Sequence, residues 1–182
     1  MNTEDSNIII ELCKNIIGVK DTNDIKVQRI GGLTNKNFKV ETDMGDFVIR
    51  LPGNGTEEMI NRKEERICTE LANQINIDSK LIYFDDETGI KISRYIQDAE
   101  TMNYNLVRKQ DNLKAIADVL RKLHTCGKSI PVVFDVFDKI EEYENILKKY
   151  SSDYFWEDYE IIKGKVCALK DEIKQMKIQL TM

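Results

Sequence analysis

The hydrophobic pattern of this chain changes period once, and the position of that change limits what the chain can fold into. Up to Ile96, short runs rich in β-branched and aromatic residues are separated by turn signals. Beyond Ile96, apolar residues recur at steps of three and four and nothing reads as a strand. Strands in the first half followed by helices in the second is the pattern of an α+β fold. Residues 4 to 17 carry Ile9, Leu12, Cys13, Ile16 and Ile17 at helical spacing, with Gly18 as a stop. Ile25 to Ile30, Asn37 to Thr42 and Phe47 to Leu51 read as three antiparallel strands in a meander, broken by Gly31-Gly32 and by Asp43-Met44-Gly45. Residues 57 to 75 return to helical period on Ile60, Ile67, Leu71 and Ile75. Leu81 to Phe84 and Ile90 to Ile96 flank an Asp-Glu-Thr-Gly turn, which makes about five strands and one inserted helix.

In the second half, Leu113, Ile116, Ala117, Leu120 and Leu123 line one helical face, and Phe137, Ile140, Tyr143 and Leu147 suggest another. Ile162, Val166, Leu169, Ile173, Met176 and Leu180 then predict a long final helix, packed in a helical lobe rather than wound into a coiled coil. Tyr154, Phe155, Trp156 and Tyr159 are read as the aromatic anchor of its start. With 9 Gly and 2 Pro among 182 residues, no linker divides the chain and no disordered class fits.

The charges exclude some partners. Lys and Arg number 27 against 32 Asp and Glu, for a net charge of -5 with the signs intermixed, so neither a nucleic acid nor a membrane partner is expected. The apolar run Ile8 to Ile10 is too short to span a bilayer and follows the acidic Glu4 and Asp5, unlike a signal peptide, so a cytoplasmic protein is expected. Cys13, Cys68, Cys126 and Cys167 lie far apart beside a single histidine, which suggests four buried, reduced thiols and no zinc or disulfide framework.

Residues Ile30 to Phe38 join two expected strands through Gly31-Gly32, where a tight turn lets backbone N-H groups approach a phosphate. The segment lacks the Gly-Lys-Ser/Thr ending of a Walker A loop and runs into a strand. Arg50 lies in the strand Phe47 to Leu51, with Val48, on the face opposite Phe47, Ile49 and Leu51. A charge there needs a partner. Steps of four, three and four from Ile60 reach Glu64, Ile67 and Leu71, so Glu64 is the favoured partner and Glu65, on the flank, the less favoured.

These elements resemble the bacterial choline kinases, within the choline/ethanolamine kinase and aminoglycoside-phosphotransferase-like superfamily. The resemblance runs through Gly31 to Phe38, Phe47 to Arg50, Ile60 to Glu65, Ile82 to Asp85, Gly89 to Ile96, Leu123-His124 and Phe134 to Phe137. It implies a protein-kinase-like N-terminal lobe over residues 1-96 and, over 97-182, a hinge with a partial helical C-terminal lobe. It also implies an ATP-dependent phosphotransferase with choline or a related amino alcohol as acceptor. Gly31, Gly32, Leu33, Thr34, Asn35, Lys36 and Asn37 would form the phosphate loop, Arg50 would take the place of the kinase strand lysine, and Glu64 would be its partner. Ser93, Arg94, Tyr95 and Ile96, entered from Ile92, would be the hinge that meets adenine.

One departure counts against the full activity. The family's H-x-D-x-x-x-x-N catalytic loop and its metal-binding aspartate are absent from these 182 residues, and His124 is followed by Thr125 and Cys126. The chain therefore reads as a front half, inactive alone, with no catalytic or metal residue of its own and with Mg²⁺ ligands expected beyond residue 182. The alternative is a non-catalytic module of kinase-like fold that binds a nucleotide or a partner. Helical faces left uncovered would favour a homodimer.

Overall fold

In the computed structural model, which describes residues 3–150 and 156–175, the alternating segments become β1 (Lys26–Gly31), β2 (Asn35–Thr42), β3 (Gly45–Pro52), β4 (Leu81–Phe84) and β5 (Lys91–Arg94). Among the described residues they form one antiparallel sheet in the order β1-β2-β3-β5-β4. The meander is as expected, but the last strand in sequence is inserted between β3 and β4. β3 and β5 thereby become central, and their alternation sends Phe47, Ile49, Leu51 and Ile92 into one buried layer with Phe38 and Val40 of β2.

That layer is closed by the N-terminal helix α1 (Thr3–Leu12) and a π-helical turn, Cys13–Ile17, which contribute Ile9, Cys13 and the following Val19. Gly18 ends the turn with φ 88°, and its N-H and that of Val19 donate to the Cys13 carbonyl at 2.9 and 3.0 Å. Burial pushes the Cys13 thiol up to about 11, so it stays protonated and inert. The other thiols differ from the expectation: Cys68 and Cys126 are half-buried and Cys167 is exposed.

The expected helix over 57 to 75 is two pieces. A 3-10 turn, Thr56–Glu58, precedes α2 (Arg62–Gln74), which starts where the Asn61 side chain accepts from the N-H groups of Lys63 and Glu64 at 3.2 and 3.3 Å. Ile60 is thus outside the helix, and apolar residues no longer set its phase. α2 buries Arg62, Thr69 and Leu71. After β5, the short α3 (Tyr104–Val107) is capped by Asn103 and leads into α4 (Gln110–His124). On α4, Leu113, Val119 and Leu120 are exposed.

The chain divides into two compact units, Met1–Ile130 and Pro131–Met182, so α3 and α4 belong with the sheet. Within the second unit, α5 (Val136–Tyr150) and α6 (Tyr159–Gln175) are joined by Lys170 to Asp138 at 2.9 Å and by Tyr159 and Lys163 to Glu144, both at 2.7 Å. Those pairs run in opposite senses along the two helices, which are therefore antiparallel. Of the expected final stripe, Met176 and Leu180 lie outside the described residues, as do Tyr154 and Phe155 of the aromatic anchor.

Because Ile49 is fully buried at the centre of the sheet, Ile49→Ala is expected to cost about 2–5 kcal/mol. Urea unfolding of the chain followed by circular dichroism checks this, and a shift under about 1 kcal/mol would mean that the layer is not the core.

Candidate functional site

The sheet has two unlike faces. Phe38, Val40, Phe47, Ile49 and Ile92 point toward α1, while the residues between them build a polar face on the other side. The register fixes its members: Asn37 is opposite Arg50, Lys39 opposite Val48, Arg50 opposite Lys91, and Val48 opposite Ser93.

The loop between β1 and β2 reaches this face at Asn37, whose side-chain nitrogen would stand 3.1 Å from a Cβ on Gly32. A register shift between Arg29 and Gly31 breaks the ladder, and Gly31 and Gly32 adopt φ of 126° and 111°. A Cβ on Gly32 would sit 1.8 Å from the Asn35 carbonyl oxygen, so the turn admits only glycine. Gly53, just after β3, closes in from beneath, where a Cβ would fall 2.0 Å from the Thr34 carbonyl oxygen. Leu33 is fully exposed at the tip. Asn35 starts β2 with its side-chain oxygen buried and without a hydrogen-bond partner among the described residues. Lys36 points the other way, to Asp5 of α1 at 2.9 and 3.0 Å, so its ammonium supports the fold and only its backbone belongs to the loop.

Arg50 is the charged centre of the face. Its Nη1 donates to Glu65 Oε1 and its Nη2 to the Gly89 carbonyl at 2.8 Å. Its guanidinium carbon stands 5.4 Å from the centroid of the Phe84 ring. The buried Nε-H has no hydrogen-bond partner among the described residues. The partner expected from sequence, Glu64, is corrected to Glu65. A stripe counted from Ile60 misplaces the helix, which starts at Arg62 and turns Arg62, Glu65 and Thr69 inward at steps of three and four.

Glu65 also accepts from Arg62 Nη1 at 2.8 Å through its second oxygen. Burial by itself would raise its pKa, but the hydrogen bonds from Arg50 and Arg62 and their charges outweigh this and hold the carboxyl below its ordinary value.

Among the expected hinge residues, Ile92 is buried toward α1 and Ser93 is 6% exposed on the Arg50 side. Arg94 lies over the Phe47 ring at 4.3 Å and donates to the Met44 carbonyl at 2.9 Å. The Tyr95 N-H donates to the Asp46 carbonyl at 3.0 Å and its ring meets Lys39 at 4.6 Å. Ile96 is exposed. The loop, Arg50 and Ser93 thus share one face, whereas the side chains of Lys36 and Ile92 leave it. Sequence reading placed Arg62 and Gly89 in matching segments but missed their roles: Arg62 showed only as a basic residue directly after Asn61, and Gly89 only as the glycine of a turn.

Among the described residues, no group of three or more His, Cys, Asp or Glu side chains could hold a metal ion, and no helix is long and apolar enough to cross a membrane.

Comparison with known proteins follows the same lines. The family model described as choline/ethanolamine kinase matches residues 27–181. Protein LicA of Haemophilus influenzae is 28% identical over 130 residues, which cover 71% of this chain and 38% of LicA. The crystal structure of choline kinase LicA from Streptococcus pneumoniae superposes with a TM-score of 0.82 at 26% identity, covering 98% of this chain and 60% of that one. A LicA structure in complex with AMP gives a TM-score of 0.79 at 27% identity, covering 96% and 59%. The chain thus spans well under two thirds of the length of these relatives.

If Glu65 is the strand's partner, Glu65→Gln is expected to lower stability by about 1–3 kcal/mol, reduced from the fully buried case by its partial exposure. Glu64→Gln is expected to stay within about 0.5 kcal/mol. The stabilisation from a depressed carboxyl is present above its unfolded pKa and is lost as pH falls through the folded one. The gap between wild type and Glu65→Gln is therefore expected to narrow as pH drops below roughly 4. Thermal melts from pH 7 to pH 3 check both statements, and equal effects of the two substitutions at neutral pH would refute the assignment.

Proposed function

Because the chain belongs to the choline/ethanolamine kinase family, we propose that its sheet holds ATP in a phosphotransferase that moves the γ-phosphoryl group to the hydroxyl of choline or a related amino alcohol. The observation that carries this reading is the Nε-H of Arg50, a buried charged donor without a partner among the described residues, across β2 from a glycine turn. A buried unsatisfied donor is costly, and phosphate oxygens are the acceptors that a guanidinium fork fits best. The loop, whose close approach depends on Gly32, adds backbone N-H groups above it.

At the hinge, the Tyr95 N-H is taken by the sheet. The neighbouring Ile96 N-H and Arg94 carbonyl would pair with the adenine edge. Ser93, small and buried beside Val48, leaves room for the ring. The similar structure solved in complex with AMP supports nucleotide binding as such.

Phosphoryl transfer also needs a base that orients the acceptor and ligands for Mg²⁺, which neutralises the phosphate charge when bound. Since H-x-D-x-x-x-x-N does not occur in these 182 residues, the chain by itself is proposed to bind and orient the nucleotide without turning it over. That absence equally favours a second reading, a non-catalytic module of kinase-like fold.

Calorimetric titration with ATP tests the phosphate site. Arg50→Ala is expected to weaken ATP binding by roughly 10- to 100-fold, the value of a hydrogen-bonded charge, while Arg50→Lys keeps part of the affinity. An ATP-dependent choline phosphorylation assay on the same chain is expected to read zero. ATP binding unchanged by Arg50→Ala would overturn the phosphate assignment, and measurable turnover would overturn the inactivity.

A further inference from the structure

Arg62 is the first residue of α2 and only 8% exposed. A guanidinium buried so far needs partners on several sides, and it has them. Nη1 donates to Glu65 Oε2 at 2.8 Å and Nη2 to Thr56 Oγ1 at 2.7 Å. The Thr56 hydroxyl in turn donates to the Gly53 carbonyl at 2.8 Å, and Gly53 is the residue that closes against Thr34 of the glycine loop. On its other side Arg62 passes through a notch at Gly89, where a Cβ would fall 2.6 Å from its Nε, and the carbonyl of that same glycine accepts from Arg50.

We infer that Arg62 is a positioning residue for the phosphate site: it holds one oxygen of Glu65 so that the other alone reaches Arg50, and it ties α2 to the turn behind the glycine loop. The inference rests on the reading that Arg50 binds phosphate.

The chemistry lies in how one carboxylate is shared. With Oε2 held by Arg62, Glu65 takes a single N-H of Arg50 and leaves the Nε-H for a ligand. Freed from Arg62, the carboxylate can turn its second oxygen onto the Nη1/Nη2 edge of Arg50 in the bidentate manner that such pairs favour, displacing the Gly89 carbonyl from Nη2 and turning the Nε-H away from its present aim. One carboxylate between two guanidinium groups also leaves a net positive charge facing the ligand, which a one-to-one pair would cancel. Arg62 therefore sets affinity for phosphate while touching neither the loop's N-H groups nor the adenine side.

The test compares ATP with adenosine on the full chain by calorimetry, at a temperature where circular dichroism shows each variant folded. Arg62→Gln is expected to weaken ATP about tenfold and leave adenosine unchanged, and Arg62→Lys is expected to restore part of the loss. Thr56→Val, which cuts the second anchor and keeps the first, is expected to give a smaller loss of the same kind and serves where Arg62→Gln does not fold. A merely structural Arg62 would lower the melting temperature with the ATP-to-adenosine ratio unchanged, and that result overturns the inference. Arg50→Ala distinguishes the two levels. If it leaves the ratio unchanged, or if wild type binds no ATP, the phosphate reading has failed and this inference with it. If Arg50→Ala lowers the ratio and the Arg62 and Thr56 variants do not, only the positioning role is lost.

Discussion

A guanidinium placed in the middle of a central strand must be paired or it destabilises the sheet, and Arg50 is paired by a helix that comes from outside the sheet. Much of the surrounding architecture serves that pairing. α2 has to start at Arg62, so Asn61 caps it. It has to turn Arg62, Glu65 and Thr69 inward, so its buried side is more polar than apolar. Gly89 has to be bare, because both guanidinium groups pass it, one through its carbonyl and one across the place of its missing side chain.

This polarity is also why the fold was easier to read than the site. Strands with one buried face announce themselves by alternation, and Phe47 to Leu51 did so; the side of Arg50 followed directly. The stop at Gly18 and the stripe of α4 were equally plain. The phase of α2 was not, since stepping along apolar residues presumes that the apolar side faces in, and here a charged side does. That presumption put Glu64 where Glu65 belongs. Asn61 was the available correction: a capping residue fixes where helical counting starts, independently of hydrophobicity. Lys36 misled for another reason. Its place in the glycine segment was right, but strand alternation carries it to the side of Phe38 and Val40, where Asp5 of a helix some thirty residues earlier receives it. Tertiary partners of that kind leave no local trace.

The two faces of the sheet divide the work. The α1 side is closed by Ile9, Cys13 and Val19 and gives rigidity; the other side keeps polar atoms in fixed positions and leaves the Arg50 Nε-H and the Asn35 oxygen without partners among the described residues. Such orphaned groups persist only when the structure around them over-determines their position. Here that means a bulged β1, two glycines with positive φ, and Gly53 pressed against Thr34.

The strand order has a consequence for how the chain assembles. β1, β2 and β3 pair with their sequence neighbours across short turns and can form as soon as those residues are available. β5 cannot follow directly, because its partner β3 lies across the 3-10 turn, α2 and β4, as in the pairing of Phe47 with Arg94. Closing that long loop costs entropy before its contacts return anything. The placing of Ser93 beside Val48 depends on the closure, whereas the hairpins do not. The hairpins are thus the early scaffold and the β5 side of the sheet is the late product, so a chain halted during synthesis before β5 would carry a folded meander with its central edge open.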